Sequence, residues 1–392
     1  MNRKRAICGI MTAVMLMPAY SASAAVKSKV SSTSNEKIIL GTSITGEKYS
    51  NDPVNVKDLT IDQAVEKAIN YSRTLKNIDE SVEIAEINEK MARYAWQASD
   101  NATATVGYSI TLRQLRDNLK NYDKNKEVEK KSIEFNVRQL FYGLKDAEKS
   151  IALYDKQIEL SKRQLEIYKV MISVGKMSQV DYNAKVTECE NLEANRLSIQ
   201  NSIDAAFRTL NQLMGENVNT KYNIILDDME FNAVSDDLNL NGAIATGLAA
   251  NQSLKELADK VELAKYTKDT YYYRSFTGET TSDKETIDSQ YAQATRGYED
   301  AKTLLVTKVN GLYDDIKNAE SEYKQNASKL KDMQSQLLVM ETQLSLGKTT
   351  QIEVDAYKLS IEQLEAEMES SVRSYDLLLR QFDNSDLISL GI

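Results

Sequence analysis

The residues best placed to do chemistry occur twice in one pattern, GKMSQVD from Gly175 to Asp181 and GKTTQIE from Gly347 to Glu353. Each copy offers a glycine, a lysine cation, a hydroxyl at Ser178 or Thr350, and a carboxylate three residues on at Asp181 or Glu353. In that spacing hydroxyl and carboxylate suit the start of a helix, the hydroxyl taking an orphan amide while the acid reaches back. Gly175 and Gly347 suit the left-handed position just past a helix end, which costs a residue with a Cβ about 1 kcal/mol or more. A stop and a start signal therefore stand side by side in both copies, with Lys176 and Lys348 on the turn between them.

Other chemistry is scarce. The chain has no histidine, and Cys8 falls in an N-terminal apolar run, which leaves Cys189 as the remaining thiol. Histidine-based acid–base work, a Ser–His–Asp triad, a Cys/His zinc site and an intrachain disulfide are all excluded. No enzyme, cofactor or metal is expected. Cys189 shares an apolar seam position with Ile361 and reads as a small buried residue. The net charge of −9, about −12 without the first basic residues, argues against a nucleic-acid partner.

The elements that must position the two turns are long helices. Arg3, Lys4 and Arg5 precede an apolar run and the small residues Ala22-Ser23-Ala24, so residues 1 to 24 read as a cleaved secretory signal peptide, too short in its apolar core for a spanning helix. Residues 25 to 58, rich in Ser, Thr, Asn and Lys, read as a leader or linker. From Val54 to the end there is no proline, which an ordinary globular chain would carry at roughly 5%. Uninterrupted helices are the physical reading of that absence.

Periodicity agrees. Val137, Leu140, Leu144, Ala147, Ile151, Tyr154, Ile158, Leu165, Tyr168 and Ile172 alternate steps of three and four, broken only by Ser161 in the seam. A poorer seam from Tyr182 to Leu210 follows the first turn, so the two helices form an antiparallel hairpin. Moving 172 residues on reproduces both seams, from Val309 to Leu344 and from Val354 to Phe382, without a gap. An earlier helix is duplicated as well, LTIDQAVEKA from Leu59 matching LNLNGAIATG from Leu238 at an offset of 179. The seven-residue change of offset places a variable connector between first helix and hairpin, at roughly 87 to 130 and 266 to 302.

The predicted fold class is all-α: two tandem repeats of long antiparallel coiled-coil hairpins, with little or no β structure. The first repeat covers 59 to 217 with its tip at 173 to 180, a belt segment links 218 to 237, and the second repeat covers 238 to 392 with its tip at 345 to 352. In the belt, YNIILDDMEFNAV from Tyr222 leaves open whether a strand is added. Tyr271, Tyr272 and Tyr273 read as packing at the far end of a hairpin, and Trp96 stands near the end of the first helix.

This layout resembles the TolC-like outer-membrane efflux proteins, through the LTIDQAVEKA opening, the duplicated G-x-x-[ST]-x-[VIL]-[DE] turns and the LNQLMGEN segment that closes the first hairpin at Asn217. The resemblance implies a homotrimer whose hairpins form a helical conduit, with a membrane-fusion adaptor and an inner-membrane transporter as partners. It also implies that Gly175, Lys176, Gly347 and Lys348 form the docking tip, and that Asp181 and Glu353 stand where acids can narrow the pore. It further implies two membrane strands in each connector, and the connectors supply them poorly. ATATVGYSITL, from Ala102 to Leu112, alternates as a strand would, yet Leu112, Leu115, Leu119 and Tyr122 already step as a helix. A helix end or loop is the preferred reading there. Membrane contact is open, and the location is the outer membrane or the extracytoplasmic envelope. Beside the conduit stands the alternative of an extracytoplasmic coiled-coil protein of the envelope without a pore. A membrane-fusion adaptor fits less well, since such a chain has one hairpin between short strand segments.

Overall fold

The structure, a computed structural model, describes residues 57 to 274 and 281 to 391. The expected signal peptide, nearly all of the leader, and the side chains of Tyr272 and Tyr273 lie outside the described residues.

A short strand, β1 (Lys57–Thr60), leads into α1 (Ile61–Tyr71) and α2 (Arg73–Gln97). The sequence pattern starts a helix at Leu59, but Leu59 is in the strand. Its register partner is Ile224 of β2 (Tyr222–Ile225), which runs parallel to β1, and both side chains are buried. The belt segment therefore does add a strand. A pairing that joins residues this far apart in the chain is decided by tertiary burial, not by local pattern. Thr60 then starts α1 through a capping box with Gln63.

What reads as one helix from Leu59 to Glu86 is two. Ser72 interrupts it and its side chain accepts the Leu75 amide at 3.2 Å. The second repeat breaks at the equivalent residue, Asn251, whose Oδ1 accepts the Leu254 amide at 3.0 Å between α5 (Leu240–Ala250) and α6 (Gln252–Arg274). With no proline available, a polar side chain that can cap offers the backbone an alternative to the helical ladder.

The long arms are α3 (Ala102–Ser173) with α4 (Gln179–Met214), and α7 (Thr281–Ser345) with α8 (Gln351–Asp383). Residues 102 to 112 are the first turns of α3, so the strand alternative there is wrong. The connector is reduced to the four residues Ala98 to Asn101. At 72 residues α3 spans roughly 108 Å, and it is seven residues longer than α7. Seven residues are one heptad, which adds two turns and leaves the inward stripe on the same face.

The register between arms locates those turns. Glu89 of α2 pairs with Arg116 of α3 at 3.1 Å, and at the equivalent positions Lys268 of α6 pairs with Asp288 of α7 at 3.1 Å. Beyond that common point α3 runs fourteen residues further and α7 seven, so the added heptad sits at the very start of α3. The sign of the pair is reversed between repeats. Exchanging α6 for α2 against α3 would bring Lys268 to Arg116, and repulsion disfavours that pairing.

Each repeat has its own core near the middle of its long arm. In the first, Leu59, Ala64, Val137, Phe141, Leu144, Phe207 and Leu210 are buried together. In the second, Leu305, Val309, Ile316, Tyr375 and Phe382 occupy the corresponding places, closed by Ile388 and Leu390 after a 3-10 turn at Ser385–Leu387. Cys189 is buried on α4. Tyr271 is buried, while Trp96 at the end of α2 is exposed.

Candidate functional site

Both hairpin tips are built alike. α3 and α7 end with glycine in the left-handed region, Gly175 at φ 71° and Gly347 at φ 68°. The Lys176 amide donates to the Met171 carbonyl at 2.8 Å and the Gly175 amide to Ile172 at 2.9 Å. In the second tip Lys348 donates to Gln343 and Gly347 to Leu344, both at 2.9 Å. This is the Schellman arrangement, which closes the last carbonyls of the helix. A Cβ on either glycine would meet nothing within 4 Å, so backbone conformation alone demands glycine there.

The starts of α4 and α8 differ by one methylene. Ser178 accepts the Asp181 amide at 3.1 Å, and its hydroxyl donates to the Asp181 carboxylate at 2.8 Å. Thr350 accepts the Glu353 amide at 3.3 Å, and the longer Glu353 carboxylate reaches the Thr350 amide at 2.9 Å. Only the second tip thus closes the reciprocal capping box. The Thr349 hydroxyl, with the Thr350 amide and hydroxyl, holds the Glu353 carboxyl below the usual glutamate range. Within the chain both acids face their own helix starts. Around them Lys176 and Lys348 are exposed, as are Val174, Val180 and Leu346. Each tip therefore presents a cation beside bare apolar side chains.

The contact that holds the two hairpins together was not anticipated from sequence. α3 and α8 run antiparallel, and polar pairs cross between them every seven residues: Tyr142 to Asp376 at 2.7 Å, Lys149 to Glu369, Lys156 to Glu362 at 2.6 Å, and Arg163 to Asp355 at 2.8 Å. In every rung α3 supplies the donor and α8 the acid. A part-buried pair reinforces the ladder, Arg373 Nε donating to Asp146 at 2.7 Å while the Ser370 hydroxyl reaches the other carboxylate oxygen. The signal was present as donors at 142, 149, 156 and 163 and acids at 355, 362, 369 and 376. A search for repeats aligns like with like and passes over complements read in opposite directions.

The belt is tied to the second repeat by a buried acid. Glu320 of α7 accepts the Val234 amide at 2.9 Å, the Ser235 amide at 2.8 Å and hydroxyl at 2.6 Å, and the Tyr375 hydroxyl at 2.6 Å. Burial alone would raise its pKa, and these hydrogen bonds more than offset that and hold it lowered. Burial, with the neighbouring carboxylate, pushes Tyr375 up to about 12. Phe231 stacks on Tyr323 beside this cluster with ring centroids 3.8 Å apart.

No protein-family model matches the chain, and no curated protein does. Solved structures do. A membrane protein from Pseudomonas aeruginosa superposes with a TM-score of 0.62 at 11% identity, over 86% of this chain and 93% of that one. The outer membrane protein VceC of Vibrio cholerae gives 0.57 at 12% identity, over 82% and 95%. The CmeC outer membrane channel of Campylobacter jejuni gives 0.59 at 10% identity, over 85% and 87%. Identity this low establishes architecture, and the architecture is shared along nearly the whole of each chain: two helical hairpins in tandem, held on the fold of TolC-like outer-membrane channels.

Proposed function

We propose that the protein is a component of an export conduit of the cell envelope, closed by a ring of copies, a homotrimer, whose hairpin tips dock onto an adaptor joined to an inner-membrane transporter. One observation carries the reading. α3 has a helix on either side, α4 and α8 towards the tips, whereas its repeat equivalent α7 has α8 on one side and exposes Leu338 and Val339 on the other. The two repeats make a strip whose free edges are α7 and α4. Such edges join head to tail and, when the rotation closes, form a ring. The likeness to outer-membrane channels supports the same reading.

On this reading Gly175, Lys176, Gly347 and Lys348 form the docking surface, and the exposed apolar residues beside them supply its contact area. Asp181 and Glu353 cap helices in each copy and bring a ring of carboxylates near the inner end. The role is passage and attachment, not catalysis. The chain is exported, and 59 to 217 and 238 to 392 act as two equivalent units around the belt.

A second reading, an extracytoplasmic envelope protein without a membrane pore, is favoured by one feature. Among the described residues the strands have four residues each, and a membrane strand needs ~9 to 11. Mass measurement and negative-stain images of the exported protein test the ring: a hollow trimer is expected, and a monomer at micromolar concentration overturns it. Extraction of cell membranes with high salt separates the two readings, since a closed membrane barrel stays in the pellet.

A further inference from the structure

Where α6 packs on α3 the two helices meet through polar side chains. Asp117, Asn121 and Asn125 step by four along α3, and Glu256 and Asp259 face them from α6. Asn121 Nδ2 donates to Asp259 and Asn125 Nδ2 to Glu256, both at 2.7 Å. These five residues line a crevice of about 310 Å³, with Tyr122 and Leu263 as its apolar members. That is the size of a site for a small organic molecule. The duplication of the chain does not account for the polar residues, since Ser289, Gln293 and Gly297 stand at the equivalent positions of α7.

Acceptors outnumber donors in this crevice. A carboxylate only accepts, so Asn121 must turn Nδ2 towards Asp259, which leaves Oδ1 as its other end. Asn121 is 4% exposed, and that Oδ1 has no hydrogen-bond partner. Gln252, one turn before Glu256 and also 4% exposed, turns Nε2 to that acid at 3.5 Å, and its Oε1 is unpartnered as well. Asp117 has a distant ion pair with Arg113 at 3.9 Å, while Arg113 is engaged with Glu262 at 3.0 Å. Burial raises the Asp117 carboxyl above its usual range, and the Asp259 carboxylate adds to the rise. Native structures pair nearly all their buried acceptors, so amide oxygens left over beside two facing acids point to a ligand that only donates and carries positive charge.

We propose that the crevice between α3 and α6 binds a small organic ammonium ion, whose N–H groups bridge Asp117 and Asp259 and reach the amide oxygen of Asn121. A chelated metal ion fits less well, because among the described residues no three acidic, histidine or cysteine side chains are placed to hold one. An ammonium asks for less, since each N–H takes a single oxygen. Its alkyl part meets Tyr122 and Leu263, which line the same crevice. The site lies between two helices of one chain and does not depend on the conduit reading.

Calorimetric titration of the full exported protein with 1,4-diaminobutane, at an ionic strength that screens weak surface attraction, tests this. One saturable site is expected. Asp117→Asn keeps the shape of the side chain and is expected to weaken binding roughly tenfold at unchanged helix content. Tetramethylammonium, equal in charge to one ammonium head but without an N–H, is expected not to bind. Binding that survives Asp117→Asn, or that tetramethylammonium matches, comes from the overall negative charge of the chain and overturns the proposal. Calcium that displaces the amine and binds more tightly assigns the crevice to a metal ion and overturns it too. Absence of any binding leaves the amide oxygens to water and has the same consequence.

Discussion

At the scale of single residues, the tips separate two uses of one motif. Ser178 and Thr350 both cap, but of the two tip acids Glu353 alone is long enough to bond the amide of its cap residue, and of the two tips the second alone brings three hydrogen bonds to one carboxylate oxygen. A folded-state pKa below the ordinary 4.5 means that the folded chain holds this proton less tightly than the unfolded one. The stabilisation is present above the unfolded value and is lost as pH falls through the folded one. Glu353→Gln is therefore expected to be less stable than the parent at pH 7 and to converge on it in acid, once pH falls below the lowered folded-state value. Denaturant unfolding at both pH values checks this, and a gap that stays constant would show that charge plays no part. The motif was legible in sequence down to the cap, because capping depends on residues three apart. That the two copies differ in closing the box was not, because it turns on the reach of one methylene.

Elements bring in contacts between hairpins. The rungs Lys156–Glu362 and Arg163–Asp355 are solvent-exposed, and such pairs contribute about 0.2 to 1 kcal/mol each and weaken with salt. Arg373 and Asp146 are largely withdrawn from water, and removing one partner of such a pair costs roughly 3 to 5 kcal/mol. Double-mutant cycles should therefore give a small, salt-sensitive coupling for Lys156→Ala with Glu362→Ala. The cycle of Arg373→Met with Asp146→Leu should give a larger one that survives 1 M salt. Equal couplings in the two cycles would mean that the ladder acts as one network. Helix existence and the turns were readable because 3.6-residue periodicity and glycine stops are local. The breaks at Ser72 and Asn251 were missed because either residue can also sit inside a helix, and only packing on both sides decides that it caps.

For the whole molecule, the proposed ring ties two unequal edges to association. A strip that packs α3 on both sides towards the tips but α7 on one would, on that reading, leave its equivalent surfaces to other copies, and stability would then depend on concentration. The melting temperature is expected to rise with protein concentration over two decades, measured by scanning calorimetry, and a constant value would speak for a self-sufficient monomer.

Composition and spacing alone determined that this is a histidine-free chain, without proline from Val54 on, of two helical hairpin repeats, each reversing at a Gly-Lys turn. Those properties are local, set by which backbone angles and helical faces each residue can serve. Three things were decided only in three dimensions. Leu59 became a strand because Ile224 was there to pair with it. Ala102 to Leu112 alternates like a strand, yet it continues α3, since a lone strand has no ladder partner while a helix satisfies its own amides. The seven-residue offset between repeats became two helical turns and not a loop, because one heptad keeps the seam in phase with its partner.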